Sequence, residues 1–467
     1  MRIQSLTLEN FKGFQSVNLE LNGKDTVFYG VNGLGKSTAL SSLAYLSQVW
    51  LRRLNNAQGK AFARIPDMAI TIGEQSARIA CDVTLESERF ELSRTVATPE
   101  ANRRTSSYAY DKNQYGKFVS YFRRRFLDGG EGAMPIFVYY GTNRSVLSAP
   151  TNLPEDARYD QLSALERACD NAADFKRFFS WYRDQESKGT TALRDALVKG
   201  MAEGDLANRN VTWGDLAERF TWSDLTNGDV TWADLAAASG SVELESVRRV
   251  VSSMVEGVTQ LYVRRDPVRF AAVKDHKELN IELLSDGEKC TISLLGDLVR
   301  RLSLANPGLD NPLKGSGVVL IDEVDLHMHP SWQRTIMRRL RENFPNLQFI
   351  VATHSPQVLG ELDDSYNIVS FDIDSRTPRF TTRMDGFDSS YILEEFMGTP
   401  SQNPLARQLY QQACDFVDAG EGEKAKQLIA RLAELVGTDG KEYLLARGYF
   451  DRARFLAGKG VREVHAQ

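Results

Sequence analysis

Gly30-Val31-Asn32-Gly33-Leu34-Gly35-Lys36-Ser37 decides how this chain is read. The string fits the phosphate-binding loop pattern, in which a glycine turn joins a buried strand to a helix. Val27-Phe28-Tyr29 supplies the apolar strand leading in, and Ser37-Thr38-Ala39-Leu40 reads as the first helical turn. The turn has to present successive backbone N–H groups, backed by the positive helix end, to a polyanion, and glycine tolerates that geometry. Asn32, Gly33, Gly35, Lys36, Ser37 and Thr38 are therefore the candidate phosphate contacts. Lys36 reaches the β- and γ-phosphates and the Ser37 hydroxyl ligates the metal, so ATP and Mg2+ are the expected ligands.

The other half of such a site lies far downstream. Gly317-Val318-Val319-Leu320-Ile321-Asp322-Glu323 is a continuous apolar run ending in two acids, as expected of a strand buried on both faces of a parallel sheet. At its carboxyl end Asp322 is placed to hold magnesium, and Glu323 to orient or deprotonate the attacking water. A further apolar run, Gln348-Phe349-Ile350-Val351-Ala352-Thr353, delivers His354, Ser355 and Pro356. A histidine at a strand tip can donate to a γ-phosphate and register its loss. Alone, His354 reads as an ordinary loop residue; beside two acids it reads as catalytic.

Between these runs, Leu284-Ser285-Asp286-Gly287-Glu288 opens a helix, with Ser285 as N-cap and acids in the first turn. The same string resembles the signature motif of the ATP-binding-cassette ATPases, in the variant of their SMC-like and RecF-like branch. That resemblance implies that Ser285 and the Gly287 N–H of one subunit close over the phosphates held by another. ATP would then be sandwiched between cassettes of a homo-oligomer. Asp325-Leu326-His327-Met328-His329-Pro330 is similar to the family's D-loop, which implies that Asp325 helps to join the two subunits. Asn10-Phe11-Lys12-Gly13-Phe14 is similar to the turn that lies near base and ribose in that branch, which brings in Lys12. No clean glutamine loop is visible; Asn143 or Arg144, at the end of the run Pro135 to Tyr140, fills its place.

The 467 residues are too many for one core, so several lobes are expected. A net charge of −5 argues against bulk electrostatic binding of nucleic acid, but leaves room for a local basic groove touching DNA. Cys81, Cys169, Cys290 and Cys414 are scattered without paired spacing, as in a reduced cytoplasmic protein. Met1-Arg2-Ile3-Gln4 runs straight into a strand pattern with no leader, and the apolar runs are too short for a membrane span.

The chain divides into four segments. Residues 1–150 form the first half of an ATPase lobe, including a hairpin from Arg78–Val83 to Phe90–Arg94. Residues 151–275 are read as a helical insertion. Phe175, Phe178, Phe179, Trp181 and Tyr182 give it an apolar helical face, and Val242 to Val258 reads as a second helix. Thr212-Trp213-Gly214-Asp215-Leu216 recurs twice, at Thr221 and Thr231, a spacing too short for a helical-repeat solenoid. Residues 276–393 complete the ATPase. In Asp372-Ile373-Asp374, the two acids resemble the pair of a TOPRIM nuclease, but too little chain remains for that domain, and a strand end and turn is the better reading. Residues 394–467 are helical, with Leu405, Leu409, Ala413 and Phe416, then Ala425 to Leu435, then Leu444, Leu445 and Tyr449 as successive apolar faces, and are expected to form a docking element.

The fold class is therefore α/β: an ABC/SMC-like P-loop ATPase core with a helical insertion and a small C-terminal helical domain. This combination resembles the stand-alone ATPases of bacterial anti-phage defence systems, most of all the PtuA-type ATPases of Septu systems. That resemblance implies an oligomer joined through its cassettes that controls a separately encoded HNH nuclease during infection. A TOPRIM effector, as in PARIS-type relatives, is the alternative partner. The competing readings are a RecF-like repair ATPase acting as an ATP-gated DNA clamp, and a sensor that binds ATP but scarcely hydrolyses it.

Overall fold

Alternating burial along Arg2–Phe11 (β1) and Phe14–Glu20 (β2) produces an antiparallel hairpin with Leu6, Leu8, Val17 and Leu19 inward. Its turn holds Asn10, Lys12 and Gly13 at positive φ, which the small glycine and the Asn side chain tolerate. The computed structural model describes residues 1–55, 65–98, 107–129, 132–142, 159–170, 173–202, 241–265, 268–400 and 403–458. The three Thr-Trp-x-Asp-Leu repeats, Asn143 and Arg144 lie outside them.

The remaining strands are Thr26–Phe28 (β3), Ser76–Leu85 (β4), Glu88–Ala97 (β5), Ser107–Tyr110 (β6) and Ile136–Tyr140 (β7). They continue with Val258–Arg265 (β8), Val268–Lys274 (β9), Lys277–Asn280 (β10) and Gly317–Ile321 (β11), then Leu347–Ala352 (β12), Asn367–Phe371 (β13) and Pro378–Thr381 (β14). They make an antiparallel sheet in the order β2-β1-β4-β5-β6, a small sheet β10-β9-β8, and a sheet β14-β13-β3-β12-β11-β7. The last is parallel except at β14. Strands β7, β11 and β12 are buried at every position, which explains their mostly apolar content; the polar exception, Gln348 of β12, bonds to the backbone of Ile3 and Lys24.

Helix α1 (Lys36–Leu54) comes after β3 and packs against β12 and β7 of the parallel sheet, while α2 (Lys112–Phe126) packs on α1 and on β5 of the antiparallel sheet. Trp50, 1% exposed, sits edge-on to Phe118 and to Phe137 of β7, and beside Phe122. Helix α3 (Phe175–Ala202) buries Phe178, Phe179, Trp181 and Tyr182 as core. The Phe178, Phe179 and Tyr182 rings surround Phe270 of β9, while the Phe178 ring fills the place a side chain at Gly296 would take. Helix α4 (Val242–Met254) is capped by Ser241, whose hydroxyl accepts from the Leu244 N–H. In the stretch read as a helical insertion the structure also places β8 and β9, where Tyr262, Phe270 and Ala271 form an antiparallel pairing rather than a helix. Helix α5 (Asp286–Ala305) is buried on nearly all sides.

The chain divides into two compact units, Met1–Phe387 and Asp388–Gln467. The second contains α6 (Pro404–Asp418), α7 (Gly422–Val436) and α8 (Lys441–Gly458) around Ala406, Leu409, Ala413, Ile429, Leu432 and Ala446. Asn403 and Pro404 start α6 as cap and first residue. Helix α8 turns Ala446 inward, while Leu444 and Leu445, expected on the apolar face, are about half exposed at 54% and 49%. No helix among the described residues is long and apolar enough to cross a membrane.

Candidate functional site

Strands β3, β12 and β11 are neighbours in one parallel sheet, so the segments after them emerge along one edge. Ligands in such sheets bind beyond the carboxyl ends of the strands. The phosphate-binding loop comes after β3, Asp322 and Glu323 after β11, and Thr353 and His354 after β12.

In the loop Gly30, Gly33 and Gly35 have φ of 124°, 81° and 102°, a region closed to most side chains. At Gly35 a Cβ would also lie 2.2 Å from the Phe14 ring. Gly35 precedes α1 without any side-chain cap, so the first-turn N–H groups remain available to an anion. Lys36 is 4% exposed and its Nζ donates to the carbonyls of Gly30, at 2.8 Å, and Val31, at 2.9 Å. Burial pushes its ammonium down to about 8, against the pull of Asp322, Glu323 and Asp325. Asn32, Gly33 and Ser37 are exposed at the mouth, and Thr38 is half-buried in the first helical turn.

The Ser37 hydroxyl donates to Asp322 Oδ1 at 3.1 Å, joining the two halves of the site across 285 positions. Two oxygens this close are a fitting protein share for Mg2+, which keeps waters and phosphate oxygens for its other positions. No group of three or more His, Cys, Asp or Glu side chains among the described residues could hold a metal ion. Glu323 sits next in a left-handed conformation, φ 47°, that turns the chain sharply at the strand end. Asp325 accepts from the Thr353 hydroxyl at 2.6 Å, which ties the turn after β11 to the end of β12. His354 is half-buried. Burial first, then the nearby Lys36 ammonium, hold its pKa below the ordinary 6.5, against Asp325, Glu323 and Asp322. It is therefore neutral at neutral pH, with one N–H to donate.

Behind the acids lies a buried charge network. The Tyr140 carbonyl accepts the Asp322 N–H at 2.8 Å, and the Tyr140 hydroxyl donates to Asp297 Oδ2 of α5 at 2.9 Å. Arg300 and Arg301 also hold that carboxylate, at 2.6 and 2.7 Å, and Arg301 extends to the carbonyls of Ala164 and Glu166. Asp297 and Arg301 are wholly buried and Arg300 is 2% exposed.

Ser285 caps α5 in a capping box with Glu288, and Glu288 pairs in turn with Lys274 at 2.5 Å. Gly287 packs so tightly on the turn after β11 that a Cβ would lie 2.2 Å from the His327 carbonyl oxygen. The structure thus brings Lys36, Ser37, Asp322, Glu323, Asp325 and His354 together, and sets Gly287 beside His327. Lys12 is at the β1–β2 turn, its ammonium over the Phe11 ring and the Tyr45 ring of α1. Arg376 carries no motif and has no signature in the sequence, yet it donates to the Gly33 carbonyl at 2.5 Å. Asp372 and Asp374 lie at a strand end and its turn, where Asp372 Oδ1 accepts from the N–H groups of Asp374 and Ser375.

A family model described as an AAA domain matches residues 5–199, and another, an AAA domain of the putative AbiEii toxin type of type IV toxin–antitoxin systems, matches residues 173–360. The chain is 30% identical to the Retron Ec83 probable ATPase of Escherichia coli, over 94% of this chain and 84% of that protein. It is 27% identical to the Septu protein PtuA of Bacillus mycoides, over 44% of this chain and 28% of that protein. An SMC head domain from Thermotoga maritima aligns with 82% of this chain and 99% of its own, at 15% identity and a TM-score of 0.40. The chain belongs to the ABC/SMC-like ATPases of bacterial defence systems, the group that includes the retron and Septu ATPases.

Proposed function

We propose that this ATPase binds ATP with Mg2+ at the edge of the parallel sheet, hydrolyses it, and uses nucleotide state to control a separately encoded nuclease in antiviral defence. The observation that carries the reading is the Ser37–Asp322 contact beside a buried Lys36, which assembles a phosphate-and-metal cradle from two ends of the chain. In this reading the loop N–H groups and Lys36 hold the β- and γ-phosphates, and Ser37 and Asp322 hold Mg2+, which neutralises developing phosphate charge. Glu323 orients and deprotonates the attacking water, and His354 donates its single N–H to the γ-phosphate. Lys12 lies toward the base. Ser285 and Gly287 meet the phosphates of a second copy, making the homo-oligomer part of the mechanism.

Likeness to ATPases of two kinds of defence system supports an effector partner, HNH or alternatively TOPRIM, and the three-helix unit is the docking element. The test is the native mass of tagged protein co-expressed with its two flanking genes. An assembly heavier than any homo-oligomer and containing a nuclease supports the reading. A homo-oligomer alone moves weight to an ATP-gated DNA clamp, and DNA-stimulated turnover becomes the deciding assay.

A further inference from the structure

Arg376 lies in the turn between β13 and β14, at φ 56°. The turn is held from within. Asp372 Oδ1 accepts from the Asp374 N–H at 3.1 Å, the Ser375 N–H at 3.0 Å and the Ser375 hydroxyl at 3.0 Å, and the other carboxylate oxygen pairs with Arg379. The Ser375 and Thr377 hydroxyls are 2.8 Å apart, and the Arg376 N–H returns to the Asp372 carbonyl at 3.2 Å. Strand β13 pairs in parallel with β3, so this turn and the phosphate-binding loop rise side by side from adjacent strands. From there Arg376 Nη1 donates to the Gly33 carbonyl at 2.5 Å.

One N–H is thereby used; the other side-chain donors of Arg376 have no partner among the described residues. A Cβ at Gly33 would meet nothing within 4 Å, so the loop crest beside the guanidinium is open. Of the two acids on the same turn, Asp372 is already paired with Arg379, and Asp374 makes no ion pair with Arg376. A planar fork with spare donors, anchored on the loop by one bond, matches the oxygens of a phosphate chain better than a lone hydrogen bond to a carbonyl requires.

We propose that Arg376 is a second cationic contact for the nucleotide's phosphates, supplied in cis by the β13–β14 turn and aligned by its bond to Gly33. This rests on the ATP-binding function proposed for the site. The experiment is calorimetric titration of the full chain with Mg-ATP and Mg-ADP, for the native protein and for Arg376→Ala, Arg376→Gln, Arg376→Lys and Lys36→Ala. Melting curves without nucleotide show that each variant is folded.

Arg376→Ala should weaken ATP binding at least about tenfold, the scale of a lost hydrogen bond to a charged group. Arg376→Gln, which keeps an uncharged N–H donor on a shorter side chain, should stay weak, and Arg376→Lys should recover part of the loss. Native-like affinity in Arg376→Ala, or full recovery in Arg376→Gln, overturns the proposal; the latter would leave only a clamp on the loop. Unchanged ATP binding in Lys36→Ala would instead defeat the nucleotide-site reading itself.

Discussion

Replacing Asp297 with alanine isolates what the buried network behind the site contributes. The native carboxylate receives Tyr140, Arg300 and Arg301 while wholly buried. Burial alone would raise its pKa, but the two guanidiniums outweigh that and lower it from 3.8 to about 2. A fall of that size corresponds to roughly 2 kcal/mol of preference for the charged form in the folded state. Because the folded value is the depressed one, this stability is present above the unfolded pKa near 4, and is lost as pH falls from there through about 2. Asp297→Ala does more than remove that preference. It leaves Arg300 and Arg301 without their counter-charge, with Arg301 Nη2 already lacking a partner among the described residues. Breaking a buried pair in this way costs about 3–5 kcal/mol. Thermal unfolding of the full chain should show its main transition falling by about 5 °C or more. Adding Arg301→Met to Asp297→Ala removes one orphaned cation and should restore part of the loss, giving a non-additive cycle. A single variant that melts with the native protein, or a double variant whose losses simply add, would refute the electrostatic account.

Glu323→Gln should retain ATP affinity while phosphate release falls about 10²–10⁴-fold, the usual worth of a positioned base; intact turnover would remove Glu323 from the catalytic role. His354 should titrate below 6.5 by NMR, and Lys36→Met should move its midpoint upward, since the ammonium disfavours imidazolium. A midpoint indifferent to Lys36 would contradict the geometry. Gly287→Ala places a methyl 2.2 Å from a backbone oxygen, so the turn after β11 must shift. Its melting temperature should drop, and a native value would show that the α5 start is looser than it looks.

The candidate phosphate cradle is legible in the sequence because phosphate loops and strand-end acids are written in local strings. Lys36, Asp322, Glu323 and His354 each come shortly after an apolar run, and parallel pairing then brings them together. The aromatic face from Phe175 to Tyr182 is equally plain as core. The features that local strings hide are set by pairing across long separations. Tyr262 and Phe270 sit in short alternating runs inside a stretch read as helical, and only the β8–β9 register shows them as sheet. Arg376 looks like one more turn arginine until β13 is seen beside β3. Asp297, Arg300 and Arg301 do leave a trace, an acid with basic residues three and four positions on within an apolar helix. On α8 the visible leucines mislead, because Ala446 makes the close contact.

The position of β3 also sets a timetable for synthesis. This three-residue strand, near the start of the chain, is flanked in the sheet by β12 and β13, made from Leu347–Ala352 and Asn367–Phe371. At ribosomal speeds of about 5–20 residues per second, its partners emerge roughly 20–70 seconds after it. During that interval Val27 and Phe28 have no native edge to join, and the phosphate-binding loop has neither Asp322 nor His354 to meet. Contacts of such separation make folding slow and leave apolar segments exposed meanwhile. The antiparallel sheet built from β1, β2, β4, β5 and β6 can pair within the first 110 residues, so it offers the nascent chain an early platform. The parallel sheet, and with it the candidate site, is therefore assembled only after Leu347–Phe371 has been made.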